Sequence, residues 1–340
     1  MVLVITLRGS LIGLSFATVC LIAGSAPAQK PSPKPGIDLN ILHVQVLLDR
    51  LGFTPGVIDG KGGQSLTQAL RGFQKARGLS VTGKIDQPTL GLLHAYRATR
   101  PTRVLTVSAE DAAGPFSGRL PKDPAAQAKL PTLGYANLVE KLAEKFHTTP
   151  ATLIALNSPQ ARVGPGARLR FPNVLPSSRA YDPKLPAEWQ RTLSSLNVSA
   201  RQPQGARVVV DKSEGVLQVY NKADRMIAQF PATMGSEHDP LPIGEWKIKG
   251  AAYNPPFHYN PKLFWDVSDG KSKQLLPQGP NGPVGVIWLD LTKPHYGIHG
   301  TPHPETIGRA ESHGCIRLTN WDAARLSLMV RPGTPATFQP

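Results

Sequence analysis

The chain has 340 residues, with 38 Lys+Arg against 23 Asp+Glu (formal net charge +15) and only two cysteines. That length allows two or three domains, and the cysteine count excludes a disulfide-stapled scaffold. The charge is lopsided: residues 29–205 hold 23 Lys+Arg and 11 Asp+Glu, whereas residues 206–340 hold 14 and 12.

Arg8 is the sole charge in residues 1–28, Leu11 to Ala23 is apolar or small, and Ser25-Ala26-Pro27-Ala28 forms a small-residue cleavage pattern. This is the layout of a secretory signal peptide cut after Ala28, with an apolar core too short to span a membrane. Removing it takes Cys20 and leaves Cys315 as the one thiol of an exported chain with no transmembrane segment. A basic chain of this kind suggests nucleic acid first, but an exported protein seldom meets it. A polyanionic envelope polymer or membrane surface fits better, beside a plain contribution to solubility.

Residues 38–95 read as a small all-α unit. Val44, Leu47, Leu48 and Leu51 repeat at helical spacing and Gly52 stops the run. Asp59-Gly60 suits a tight turn. Leu66, Ala69, Leu70 and Phe73 form a second stripe, and Asp86 with Pro88 opens a third helix. The succession Leu51-Gly52, Pro55-Gly56, Ile58-Asp59-Gly60, Phe73-Gln74 and Gly78-Leu79 resembles the three-helix peptidoglycan-binding domain, with "KGGQS" in place of that family's usual phenylalanine-glycine stretch.

Residues 102–176 open with the strand candidate "TRVLTV" and continue through a Pro/Ala-rich stretch to about Leu133 that lacks regular pattern. Leu138, Leu142 and Phe146 then share a helix face, Thr149 and Pro150 start another helix, and "GPGARLRFPN" closes as a strand. Strand, helix, helix, strand resembles an α+β LysM module without the Gly-Asp-Thr opening, so sugar binding and a purely structural role both stay open. Residues 177–205 show no periodicity and read as a linker. From Ala206 the texture is mostly β to residue 338, with a turn at Asn221 to Asp224 and one helix in "NWDAARLSLMV" for which Asn320 is a plausible cap. The expected fold is therefore multidomain.

Around Cys315 the run "HYGIHGTPHPETIGRAESHGC" gathers His295, His299, His303 and His313. Zinc would need the first three on a helix, which Gly297, Gly300, Pro302 and Pro304 oppose. A structural reading makes Cys315 a small buried residue and the histidines loop polars. A catalytic reading makes Cys315 a nucleophile activated by a histidine on an adjacent strand, with Gly314 letting backbone N–H groups form an oxyanion hole. Ser312 and Arg317 add polar partners that the structural reading leaves unexplained.

His299-Gly300, then Ser312-His313-Gly314-Cys315, Arg317 and Asn320, resemble the signature of the L,D-transpeptidase (YkuD-like) catalytic domain. "LPIGEW" (Pro242, Gly244, Trp246) and "GPNGPVG" resemble two further marks of that family, with Leu241 for its Thr and Gly282 for its Asn. The resemblance implies Cys315 as nucleophile and His299 as base, the latter oriented by the Gly300 carbonyl. His313 is implied to shape the site, although its spacing from Cys315 also makes it an alternative base. No metal or cofactor is implied. The implied activity is an exported 3→3 transpeptidation of peptidoglycan stems through a Cys315 thioester, in the periplasm or cell envelope, with carbapenems as inhibitors. Hydrolysis of the same acyl-enzyme (an L,D-carboxypeptidase or amidase) and non-enzymatic wall binding are the alternatives.

Overall fold

The computed structural model describes residues 36–263, 272–309, 312 and 314–340. The expected signal peptide and His313 lie outside these residues. From Ile37 onward the chain forms one compact unit.

Helices α1 (Leu39–Arg50), α2 (Gln64–Ala76) and α3 (Gln87–Leu93) bear out the three-helix expectation. Asp38 caps α1 by accepting from the backbone N–H groups of Asn40 and Ile41, and Asp86 caps α3 by accepting from Thr89 N–H. The two predicted stripes meet in one core of Val44, Leu47, Leu48, Leu66, Ala69, Leu70 and Phe73, with Phe53 edge-on to Phe73 at 5.8 Å. Two buried glutamines spool the loops. Gln45 Oε1 accepts from Gly60 N–H (2.7 Å), and Gln74 donates to the Lys84 carbonyl and accepts from Gly83 N–H. Each would lose about 1–3 kcal/mol if those loop groups were left unpaired.

Strands β1 (Thr102–Thr106) and β2 (Arg168–Pro172) pair antiparallel. Between them lie two one-turn helices, α4 (Ala109–Ala112) and α5 (Pro124–Gln127), in the stretch expected to be irregular. Helices α6 (Leu138–Lys145) and α7 (Pro150–Asn157) follow, and Thr149 caps α7 as its sequence predicts. The strand–helix–helix–strand order is therefore present. The linker expectation for 177–205 is corrected. Residues 187–195 form helix α8 (Ala187–Ser195), and Trp189, Leu193, Leu196 and Val198 are fully buried in the principal core. Trp189 stacks on Tyr253 at 4.8 Å. A few anchors on a short helix among Pro, Ser and Arg gave too little periodicity to be read.

The remainder is a nine-stranded sheet ordered β5-β4-β3-β13-β7-β10-β11-β12-β6. Its strands are β3 (Arg207–Asp211), β4 (Val216–Tyr220), β5 (Met226–Pro231), β6 (Thr233–Met234), β7 (Gly244–Tyr253), β10 (Ile287–Leu291), β11 (Gly297–His299), β12 (Ile316–Arg317) and β13 (Pro335–Gln339). A small pair, β8 (Phe257–Tyr259) with β9 (Gln274–Leu276), stands apart in the pairing. Helix α9 (Asn320–Met329) buries Trp321, Ala323, Ala324 and Leu326 in the same core as the sheet. Asp224 takes φ +55° in the β4–β5 turn where the sequence places it.

The helical unit covers the β5 edge of this sheet. Thr54 N–H donates to the Gln229 carbonyl, Gln229 N–H donates to the Gly52 carbonyl, and Gln229 Nε2 donates to the Gln68 carbonyl. A Cβ on Gly72 of α2 would stand 2.5 Å from the Gln229 carboxamide and displace it from its bond to Gln68. A buried ionic junction lies where all three segments meet. Asp49 of α1 accepts from His147 Nδ1 (3.1 Å) and from Arg325 of α9 (3.3 Å), while His147 Nε2 donates to the Leu196 carbonyl. Burial alone would raise the Asp49 pKa, but the Arg325 and His147 charges override it and hold the carboxyl well below its usual range.

Candidate active site

β11 and β12 pair in parallel, with Ile298 opposite Ile316 and His299 opposite Arg317. Both isoleucines are fully buried, so they fix which face meets the core. Side chains alternate along a strand, which sends His299 and Arg317 to the other face. Cys315 lies in the bend immediately before β12, so the β11–β12 pairing carries its chain alongside β11.

His299 is buried and lies against Trp288, with ring centroids 5.5 Å apart. Its Nδ1 is 2.7 Å from the Gly300 carbonyl. A carbonyl only accepts, so Nδ1 carries the proton and Nε2 is the bare, basic nitrogen. Burial and the Arg317 charge push the His299 pKa down to about 3, against the Gly300 hydrogen bond. Burial also pushes the Cys315 thiol up, opposed by a backbone hydrogen bond at Gly297 and by the Arg317 charge. Both shifts favour the uncharged forms, a thiol and a neutral imidazole. The Cys315 sulfur lies 3.8 Å from the His295 carbonyl.

The chain around the thiol is held from several sides. Gly314 takes φ +90°, and a Cβ there would meet the Tyr296 ring at 2.6 Å. Ser312 is buried; its Oγ donates to the Cys315 carbonyl (2.7 Å) and accepts from Gly235 N–H (2.7 Å), tying the loop to the end of β6. Asn320 does not cap α9. Thr319 does, accepting from Asp322 N–H, because its β-region backbone precedes the first helical residue. Asn320 instead turns inward, fully buried. Its Oδ1 accepts from Val286 N–H (3.2 Å), and its Nδ2 donates to the Pro280 carbonyl (3.1 Å) and to Glu144 Oε1 (2.7 Å). A Cβ on Gly300 or Gly285 would stand 2.0 or 1.9 Å from that Oδ1, so both glycines are needed for Asn320 to sit there.

His303 does not join His299. It stands on an exposed loop, 3.7 Å from Glu305. Among the described residues no group of three or more His, Cys, Asp or Glu side chains is placed to hold a metal ion. Trp246 Nε1 donates to the Pro242 carbonyl (2.8 Å), which accounts for "LPIGEW" as a local clasp. Sequence reasoning did not single out Trp288 or Glu144, since their roles depend on partners 11 and 176 residues away.

Residues 205–337 match the family model described as the L,D-transpeptidase catalytic domain, and residues 38–93 match the putative peptidoglycan binding domain. The catalytic region belongs to the YkuD family. The putative L,D-transpeptidase YkuD of Bacillus licheniformis is 33% identical over 134 residues, which cover 39% of this chain and 66% of that protein. Its namesake from Bacillus subtilis is 52% identical over 61 residues, covering 18% of this chain and 37% of the relative. A crystal structure of an L,D-transpeptidase from Xylanimonas cellulosilytica aligns with 92% of this chain and 100% of that one, at 15% identity and a TM-score of 0.37. The chain thus places a YkuD domain behind a peptidoglycan-binding domain. No helix among the described residues is long and apolar enough to cross a membrane.

Proposed function

We propose that the protein is an exported L,D-transpeptidase that makes 3→3 peptidoglycan cross-links through a Cys315 thioester. The observation that carries this reading is the His299 Nδ1–Gly300 contact, which leaves Nε2 basic on β11, the strand paired with the one that Cys315 leads into. In the first half-reaction His299 Nε2 takes the thiol proton as sulfur attacks the carbonyl of the stem's third residue, a diamino acid. Backbone N–H groups at Gly314 and Cys315 receive the developing oxyanion. Imidazolium returns the proton to the leaving amine, D-alanine departs, and the thioester remains. In the second, a diamino-acid amine of another stem attacks, gives its proton to His299, and releases the thiol. A neutral pair at rest suits this cycle, because the proton moves only when substrate is in place.

Ser312, Gly300 and Asn320 act as positioning residues and Arg317 tunes both titrating groups. His313, outside the described residues, is carried as a supporting residue on the family resemblance. Carbapenems, whose strained lactam mimics the donor carbonyl, should acylate Cys315. The strand–helix–helix–strand unit is proposed as a LysM-like module.

The test incubates residues 29–340, and the Cys315→Ala variant, with disaccharide-tetrapeptide and follows products by mass spectrometry. A cross-linked dimer lacking one D-alanine, made only with the cysteine present, is the expected result. Tripeptide alone would assign hydrolysis, and unchanged tetrapeptide would overturn the activity.

A further inference from the structure

A cavity of about 600 Å³ opens between the middle segment and the loop that follows His299-Gly300. That is within the size range of small-ligand sites. Residues 302–305 form one wall, α6 a second, and the irregular segment before α5 a third. Its charges are sorted by wall. Glu140 and Glu144, one helical turn apart on α6, present carboxylates on one side, while exposed Arg119 and Lys122 stand on the 118–122 segment. On the 302–305 wall His303 and Glu305 face each other at 3.7 Å and offset one another.

The two carboxylates are held by uncharged donors. Glu140 Oε1 accepts from Asn281 Nδ2 (2.9 Å) and Oε2 from Ala136 N–H; Glu144 Oε1 accepts from Asn320 Nδ2. Glu144 is buried, and its Oε2 has no aligned donor although the Tyr135 hydroxyl lies against the carboxyl. Neutral donors leave both carboxylates without a counter-charge, and burial pushes Glu144 up to about 7, a cost that an ammonium in the cavity would relieve. An internal structural role would be served better by an amide at 144, which could fill the same site without that cost.

We propose that this cavity is a subsite for a zwitterionic amino-acid head, its ammonium towards Glu144 and Glu140 and its carboxylate towards Arg119 and Lys122. The assignment rests on the peptidoglycan reading, in which the stem's diamino acid ends in such a head. It makes the middle segment a wall of the substrate cleft. It also links recognition to the catalytic loop, since Asn320 joins Glu144 to the tight contact at Gly300.

The test is equilibrium binding to the full chain carrying Cys315→Ala, so no turnover is needed. Three stem tripeptides are titrated: one with a diamino dicarboxylic acid at the third position, one with its distal carboxylate amidated, and one with lysine there. The zwitterionic form should bind about tenfold more tightly than the other two, the worth of one charged hydrogen bond. The exposed double variant Arg119→Ala/Lys122→Ala should erase that difference. Glu144→Gln should weaken all three about tenfold, since all present the ammonium. Free diamino acid competing as well as the tripeptide would identify a free amino acid as the occupant, and tripeptide preference would identify a stem; either supports the subsite. Equal binding of the three tripeptides, or a zwitterion preference that survives the double variant, would overturn it. An inactive enzyme that still shows the preference would count against the transpeptidase reading only.

Discussion

Asp49→Ala removes the carboxylate that His147 Nδ1 reaches at 3.1 Å and Arg325 Nη2 at 3.3 Å, in a junction where neither partner's side chain is more than 8% exposed. Deleting one member of a buried ion pair costs about 3–5 kcal/mol, because the survivor stays buried and uncompensated. Two features place the loss towards the lower end. Arg325 Nη1 keeps its 2.8 Å bond to the Asp49 backbone carbonyl, and Asp322, pushed up only to about 6 and so mostly ionised at pH 7, remains as a counter-charge to Arg325. A loss of about 3 kcal/mol is therefore expected in urea unfolding at pH 7. The wild-type chain from residue 37 should unfold in one transition, since three segments share this junction. The pH dependence follows from the direction of the Asp49 shift. A carboxyl whose folded pKa is depressed stabilises above its unfolded value of roughly 4, and that contribution is lost as pH falls towards the folded pKa. The gap between wild type and variant should be flat from pH 7 to 5 and shrink below about 4. A loss under about 1 kcal/mol, or a helical unit that melts separately first, would refute the view that the junction couples the segments.

With His299 near 3, its base form is already complete at pH 5, so the acid limb of kcat/KM should lie well below the usual histidine value; a limb near 6.5 would mean an exposed imidazole. The raised Cys315 thiol predicts that alkylation of the free enzyme by iodoacetamide is slow at pH 7 and accelerates only above pH 9. Gly285→Ala puts a methyl 1.9 Å from Asn320 Oδ1 at a residue with φ +60°, and should cost about 2–4 kcal/mol in urea unfolding. Ser312→Ala unties Gly235 from the loop that carries Cys315, and should lower kcat/KM about tenfold while moving global stability by less than about 2 kcal/mol.

The helices of residues 38–95 were legible because their caps and stripes are local: Asp86 finds its donor three residues on, and Phe73 needs only its own turn of helix. Cys315 and His299 stand out as candidates only through the motif resemblance; the structure adds the β11–β12 pairing and the His299–Gly300 contact. Illegible features depend on distant partners. Nothing near residue 320 announces that Asn320 faces Gly285 and Glu144 while Thr319 takes the cap, because Thr and Asn are both good caps and only tertiary contacts choose between them. Helix α8 was missed for a related reason. Its anchors Trp189 and Leu193 give one turn of periodicity, and the burial that stabilises it comes from a sheet that starts at Arg207.

The correction to 177–205 changes what the attached modules can do for catalysis. A module on a flexible linker raises the local substrate concentration and imposes no direction. Here the helical unit pairs with β5 and shares Asp49 with α9, and the middle segment places Glu140 and Glu144 in a cavity beside the catalytic loop. Under the proposed activity, a polymer held by such modules would meet the Cys315 thiol at a fixed angle and distance, and their contribution would be orientation. Orientation is worth more per contact than concentration when the reacting groups must align, and it is lost if the geometry is wrong. Loosening the junction at Asp49 should then lower turnover of polymeric wall more than turnover of a soluble tetrapeptide, because only the polymer engages both ends of the unit.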